Sequence, residues 1–199
     1  MTTLDAGTDS RLQAEAQALQ TLLSTLAGRV AVQIGACAHS GVPPARFTDV
    51  FCLDPVEPEA HIRARLEALP LLSESVDLVL MMHSMDGAGP RSAWVAEAAR
   101  VLRPEGRLVV VGCRVWQGSE WLRSRTPPLG VWRLRVLTAR HGLSWEYARG
   151  LKAGSGTRHG VYLAVARRRM PGTLLLRPAW NRQKKARRSL EVPGAGRAG

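Results

Sequence analysis

The chain predicts an α/β protein built on an open, doubly wound sheet, and three observations carry that expectation. Runs rich in β-branched residues alternate with stretches of helical apolar spacing. One run, Val76-Asp-Leu-Val-Leu-Met-Met82, is almost wholly apolar, as a strand covered on both faces of a parallel sheet must be. Two final runs, Leu143–Tyr147 and Gly160–Ala166, are joined by a short Gly-rich link and read as an antiparallel hairpin at the sheet edge.

Taken in order, Ser10 and Gln13 have the form of a capping box, and Leu12, Ala16, Leu19, Leu22, Leu23 and Leu26 recur at helical spacing. The spacing predicts a helix from about Arg11 to Ala27, stopped at Gly28 in a left-handed turn. Strands follow over 29–34 and 49–53, then over 76–82, with helical stretches expected between them. Pro90 begins a helix over 91–103 with Trp94, Val95, Ala98, Val101 and Leu102 on one face. Pro104-Glu105-Gly106 ends that helix and turns into a strand over 107–112. A helix over 129–140 places Val131, Leu134 and Val136 inward and its arginines outward. The domain is expected over residues 10–166, after a loose lead-in at 1–9 and before a basic, low-complexity, disordered tail at 167–199.

Composition limits the partners. Apolar residues make up 45% and charged residues 22%, which is ordinary for a globular chain. No run is long and apolar enough to span a bilayer, and the start of the chain has no secretory pattern. The net charge of +12 is unevenly spread: residues 1–112 sum to −4, residues 113–166 to +7 and residues 167–199 to +9. Such asymmetry speaks of anionic partners rather than of fold. Cys37, Cys52 and Cys113 are widely spaced, with no C-x-x-C pair. They predict neither a disulfide nor a metal site, and so a reducing, cytoplasmic setting.

Two stretches share a recognisable pattern. Leu69, Pro70, Ser75, Asp77 and Val79 form one; Arg100-Val-Leu-Arg-Pro-Glu-Gly106, running into an apolar strand, forms the other. Together they resemble the type-11 methyltransferase domain of class I S-adenosylmethionine-dependent enzymes. The resemblance implies a Rossmann-like sheet with S-adenosylmethionine as cofactor. It implies cofactor contacts at the turn after the first strand, Gly35, Ala36 and Cys37, at Asp54 closing the second strand, and at Leu69. The usual acidic-x-Gly-x-Gly-x-Gly turn is degenerate here, reading Gln33-Ile-Gly-Ala-Cys-Ala-His39, so that one glycine survives and Gln33 replaces the acid. Only about 13 residues separate this turn from the second strand, so the helix that normally follows is shortened or missing. Arg65 stands where an acid usually meets adenine, with Glu67 the nearest carboxylate.

His83 falls just past the fourth strand of the family pattern, at the ligand-binding edge of such sheets, and is the candidate general base. The alternative is a strand-end histidine bonded to its own loop; Asp86 is a weaker candidate. Cys113 reads as a small buried residue. Beyond it, Trp116, Trp121, Arg114, Arg123 and Arg125 interleave indoles with cations over the expected acceptor pocket. The expected function is methyl transfer to an unidentified, anionic acceptor, a small molecule or RNA. The rivals are a non-catalytic scaffold that has lost the cofactor, and a protein contacting nucleic acid non-specifically through Arg167–Arg188.

Overall fold

The computed structural model describes residues 4–39, 41–43, 45–113, 129–151 and 160–170. Helix α1 spans Leu4–Leu23 and leads into strand β1, Gly28–Ile34. Strands β2, Phe47–Leu53, and β3, Val76–Met82, follow. Then come helix α2, Arg91–Val101, strand β4, Leu102–Cys113, and helix α3, Val131–Arg140. Strands β5, Leu143–Leu151, and β6, Val161–Arg168, close the sheet. Its order is β2-β1-β3-β4-β6-β5. The first four strands are parallel, and β6 inserts antiparallel between β4 and β5. The edge hairpin and the doubly wound sheet are therefore as the sequence predicts.

Alternation along the central strands builds two cores. Leu78, Leu80 and Met82 of β3 and Val109 and Val111 of β4 face Leu19 and Leu23 of α1. Val79, Met81, Leu108 and Val110 face the other way, onto Trp94, Val95 and Ala98 of α2 and Leu134 of α3. Burial on both faces explains why β3 carries no polar residue except Asp77.

Several boundaries differ from expectation. Helix α1 begins at Leu4, so Ser10 and Gln13 lie inside it rather than at its start. Gly28 does not stop this helix; it opens β1, where a Cβ would stand 2.6 Å from that of Asp77. No helix lies among the described residues between β1 and β2, which bears out the missing-helix reading, and none lies between β2 and β3. The Arg-Pro-Glu-Gly segment is not a stop before β4 but part of it. Glu105 takes φ +69°, and the register with β3 shifts between Val76 and Leu78, the signature of a bulge. In α3, Leu134 and Thr138 are buried while Val136 is 37% exposed.

The boundary set at residue 166 falls within β6, and the first two cations of the expected tail belong to the fold. Arg167 pairs with Glu105 and Glu146. Arg168 donates to the carbonyls of Arg100 and Leu102 and pairs with Glu74 at 2.8 Å. Residues 171–199 and the Trp116–Arg125 segment lie outside the described residues. Among those described, no helix is long and apolar enough to cross a membrane.

Candidate active site

The sheet reverses its winding between β1 and β3, and that switch point is where ligands bind in open α/β sheets. At its carboxyl edge lie the Gly35 turn, Asp54, His83 and Cys113. Gly35 takes φ +80°, and a Cβ there would sit 2.6 Å from the Met82 carbonyl oxygen. Only glycine allows the turn to lie against β3.

The turn is organised by a side chain rather than by further glycines. Gln33 is 2% exposed. Its Nε2 donates to the carbonyls of Gly35 at 3.1 Å and of Ala36 and His39 at 2.9 Å each, and its Oε1 accepts from the Gly41 N–H at 2.8 Å. A carboxylate could not donate to three carbonyls, which gives the departure from the family's acidic residue a physical reason. Two further ties fix the turn. Glu57 accepts from the Cys37 N–H, and Cys37 forms a disulfide with Cys52 of β2, with Cα atoms 5.7 Å apart. The disulfide corrects the expectation of three separate thiols, and the inference of a reducing compartment loses the basis it had there.

The other predicted cofactor residues are placed unequally. Asp54 closes β2 and bends back in an Asx turn, its Oδ1 accepting from the Val56 and Glu57 N–H groups at 2.8 and 2.9 Å. Its other oxygen bonds to no described residue. Ala36, at φ +49°, presents its backbone beside Gly35. Leu69 is different. Its side chain is buried in the α2 core, its N–H donates to Glu97 and its carbonyl accepts from Arg100, so the Glu97–Arg100 ion pair consumes both backbone groups. Glu67 is likewise tied, accepting from the Trp94 indole N–H at 3.1 Å with Arg65 beside it; the Trp94 bond first, then a bond from its own backbone N–H and the charge of Arg65, outweigh desolvation and hold its carboxyl below the usual range.

His83 does lie just past β3, with φ +55° and its N–H on the Val111 carbonyl. Both ring nitrogens are engaged: Nδ1 with Asp86 Oδ2 at 2.8 Å, Nε2 with Glu15 Oε2 at 3.0 Å. Burial alone would depress the imidazolium. Hydrogen bonds with Asp86, Cys113 and Glu15, and the charge of Glu15, outweigh it and push the pKa up to about 11. The ring thus bonds its own loop, as the alternative reading had it, and additionally ties down α1. Glu15, 1% exposed and 68 residues away, carries no local signal that would have marked it. Asp86 accepts from the Cys113 N–H with both oxygens, at 3.0 and 3.1 Å.

Beside the turn, between α1 and residues 39–43, opens a cavity of about 640 Å³. Glu15, Leu19, His39, Val42 and Met82 are on its walls, which are mostly apolar. Its volume is in the range of small-molecule sites.

The comparisons with known proteins agree with this architecture. Residues 32–110 match the family described as "Methyltransferase domain". A 46-residue stretch is 48% identical to the malonyl-[acyl-carrier protein] O-methyltransferase of Hahella chejuensis, covering 23% of this chain and 16% of that one. Among solved structures, a chain of the Haloferax volcanii complex of the Trm112 methyltransferase activator with a methyltransferase superposes with TM-score 0.68 at 16% identity, covering 83% of this chain and 94% of that one. An S-adenosylmethionine-dependent methyltransferase from Mesorhizobium loti gives 0.61 at 18% identity, over 78% and 98%. The geranyl diphosphate C-methyltransferase of Streptomyces coelicolor, solved with S-adenosyl-L-homocysteine, gives 0.61 at 17%, over 78% and 76%. The structural likenesses carry the fold, and the family match, over residues 32–110, spans the strands that build the switch point.

Proposed function

We propose that the chain is an S-adenosylmethionine-dependent methyltransferase. The observation that carries the reading is the Gly35 turn, held left-handed against the Met82 carbonyl at the switch point, with Asp54 closing the neighbouring strand. These residues fit the cofactor: the Gly35–Ala36 backbone admits close approach, and the Asp54 oxygen outside the Asx turn suits ribose hydroxyls. When bound, S-adenosylmethionine supplies a methyl group already activated by its sulfonium. The chain's own task is to align the acceptor and exclude water. His83 is better suited to positioning than to general-base work, because carboxylates occupy both ring nitrogens and through Glu15 it holds α1 over the cavity. Leu69 serves the fold.

The acceptor is read as anionic, a small molecule or RNA, on the charge of the segment after β4, where residues 113–166 sum to +7. Cys37 supports a second reading, a non-catalytic module, since its N–H is already taken by Glu57 and its sulfur by Cys52. Isothermal titration of the full-length protein with S-adenosylmethionine and S-adenosylhomocysteine separates the two. One-to-one micromolar binding is expected. Absence of heat at several temperatures from a folded protein would replace the enzyme by the module.

A further inference from the structure

We propose that His83, Asp86 and Cys113 form a binding site for a borderline-soft first-row dication, zinc foremost. Two adjacent strand ends bring the donors together: His83 and Asp86 follow β3, and Cys113 ends β4. His83 Nδ1 lies 2.8 Å from Asp86 Oδ2 and 4.0 Å from Cys113 Sγ, and the three ligand atoms fall within 4.8 Å of one another. In a tetrahedral zinc site, donors at roughly 2.0 to 2.3 Å from the metal stand about 3.5 Å apart. The cluster therefore needs sub-ångström opening between imidazole and carboxylate, about half an ångström of closing between imidazole and sulfur, and up to about 1.3 Å of closing between carboxylate and sulfur. An imidazole, a thiolate and a carboxylate suit zinc or cobalt, whereas magnesium and calcium prefer all-oxygen sets.

The surroundings support a ligand at this place. Glu15 engages Nε2, which leaves Nδ1 as the ligating nitrogen in the carboxylate–histidine–metal arrangement. The Cys113 N–H orients Asp86. Tyr162 is 0% exposed, and its hydroxyl has no hydrogen-bond partner among the described residues. It converges on the same point: a Cβ on Gly112 would lie 2.8 Å from that hydroxyl and 3.0 Å from Asp86 Oδ1. A buried hydroxyl left without a partner calls for one, and a water bound to the ion would supply that partner and fill the fourth position. On binding, the protons of Nδ1 and Sγ leave to solvent as the dication enters, with no change of oxidation state. The site is independent of the methyltransferase reading.

The test is cobalt titration of the full-length protein under non-reducing conditions, followed by displacement with zinc. With the Cys37–Cys52 disulfide intact, Cys113 is the thiolate available. The expected result is one cobalt per chain, with a thiolate-to-cobalt charge-transfer band and tetrahedral visible bands that zinc abolishes. Cys113→Ser should remove the charge-transfer band, and Asp86→Asn should weaken affinity about ten- to hundredfold. Tyr162→Phe, which keeps the packing, should leave the thiolate band and alter the visible bands. No thiolate band from a folded protein would overturn the proposal, as would a band unchanged in Cys113→Ser.

Discussion

The two ends of the strands obey different rules. At the amino end, Asp77 accepts from the Arg29 and Val30 N–H groups at 2.8 and 2.9 Å, pairs with Arg103 and packs against Gly28. The residues resembling the family most closely, Asp77, Arg100 and the Arg103–Gly106 bulge, thus stitch strands and helix together away from the ligand edge. At the carboxyl end the family pattern is mostly replaced: Gln33, Glu57 and a disulfide do the work of lost glycines. What the resemblance rests on is scaffold, and what would decide an activity is the chain's own.

The comparison can be broken at either end. The largest effect is expected for Gln33→Glu, which sets a buried carboxylate against three carbonyl oxygens and should cost about 3 to 5 kcal/mol in urea unfolding. A loss below about 1 kcal/mol would mean that the turn does not depend on this amide. Asp77→Ala leaves two strand N–H groups and Arg103 without their acceptor and should cost about 3 kcal/mol. Cofactor affinity in the folded fraction should be unchanged, and a parallel loss of binding would erase the division between the ends. Reducing the Cys37–Cys52 bridge opens a 15-residue separation, worth about 2 to 3 kcal/mol by loop closure. Here both melting temperature and cofactor affinity should fall, because the bridge anchors the turn; unaltered affinity would detach it from the site. The smallest effect belongs to Asp54→Ala. Loss of its Asx turn should cost about 1 kcal/mol of stability, while S-adenosylmethionine affinity drops about tenfold, equivalent to about 1.4 kcal/mol. Equal affinity in the folded variant would remove Asp54 from the cofactor site.

Strands β1, β3 and β6 and helix α2 were legible because burial on one or both faces leaves an unmistakable apolar period. The parts that escaped depend on residues distant in sequence. Glu15 meets His83 across 68 positions, and nothing near either announces the other. The disulfide escaped too: only in the fold does parallel pairing set Ile34 beside Leu53, so that residues following β1 lie next to the end of β2, where Cys52 sits. Linear spacing conceals that adjacency. Gln33 was conspicuous as a departure from the family, yet its four bonds become visible only when the turn is folded around it. A helix between β2 and β3 was expected from the architecture, and the chain packs Leu66 and Leu69 of an irregular segment there instead. Val136 misled because one apolar residue at the edge of a stripe can tip toward water without cost to the rest.

Strand β6 also sets a timetable. During synthesis β4 emerges with one edge unpaired, and its partner strand is completed only at Arg167, roughly 54 residues after Cys113. At about 5 to 20 residues per second the nascent chain spends several seconds with that open, Val-rich edge available to any passing strand. A chaperone that holds nascent chains would find its demand concentrated in that interval, and a chain cut short before Val161 would keep the sticky edge permanently.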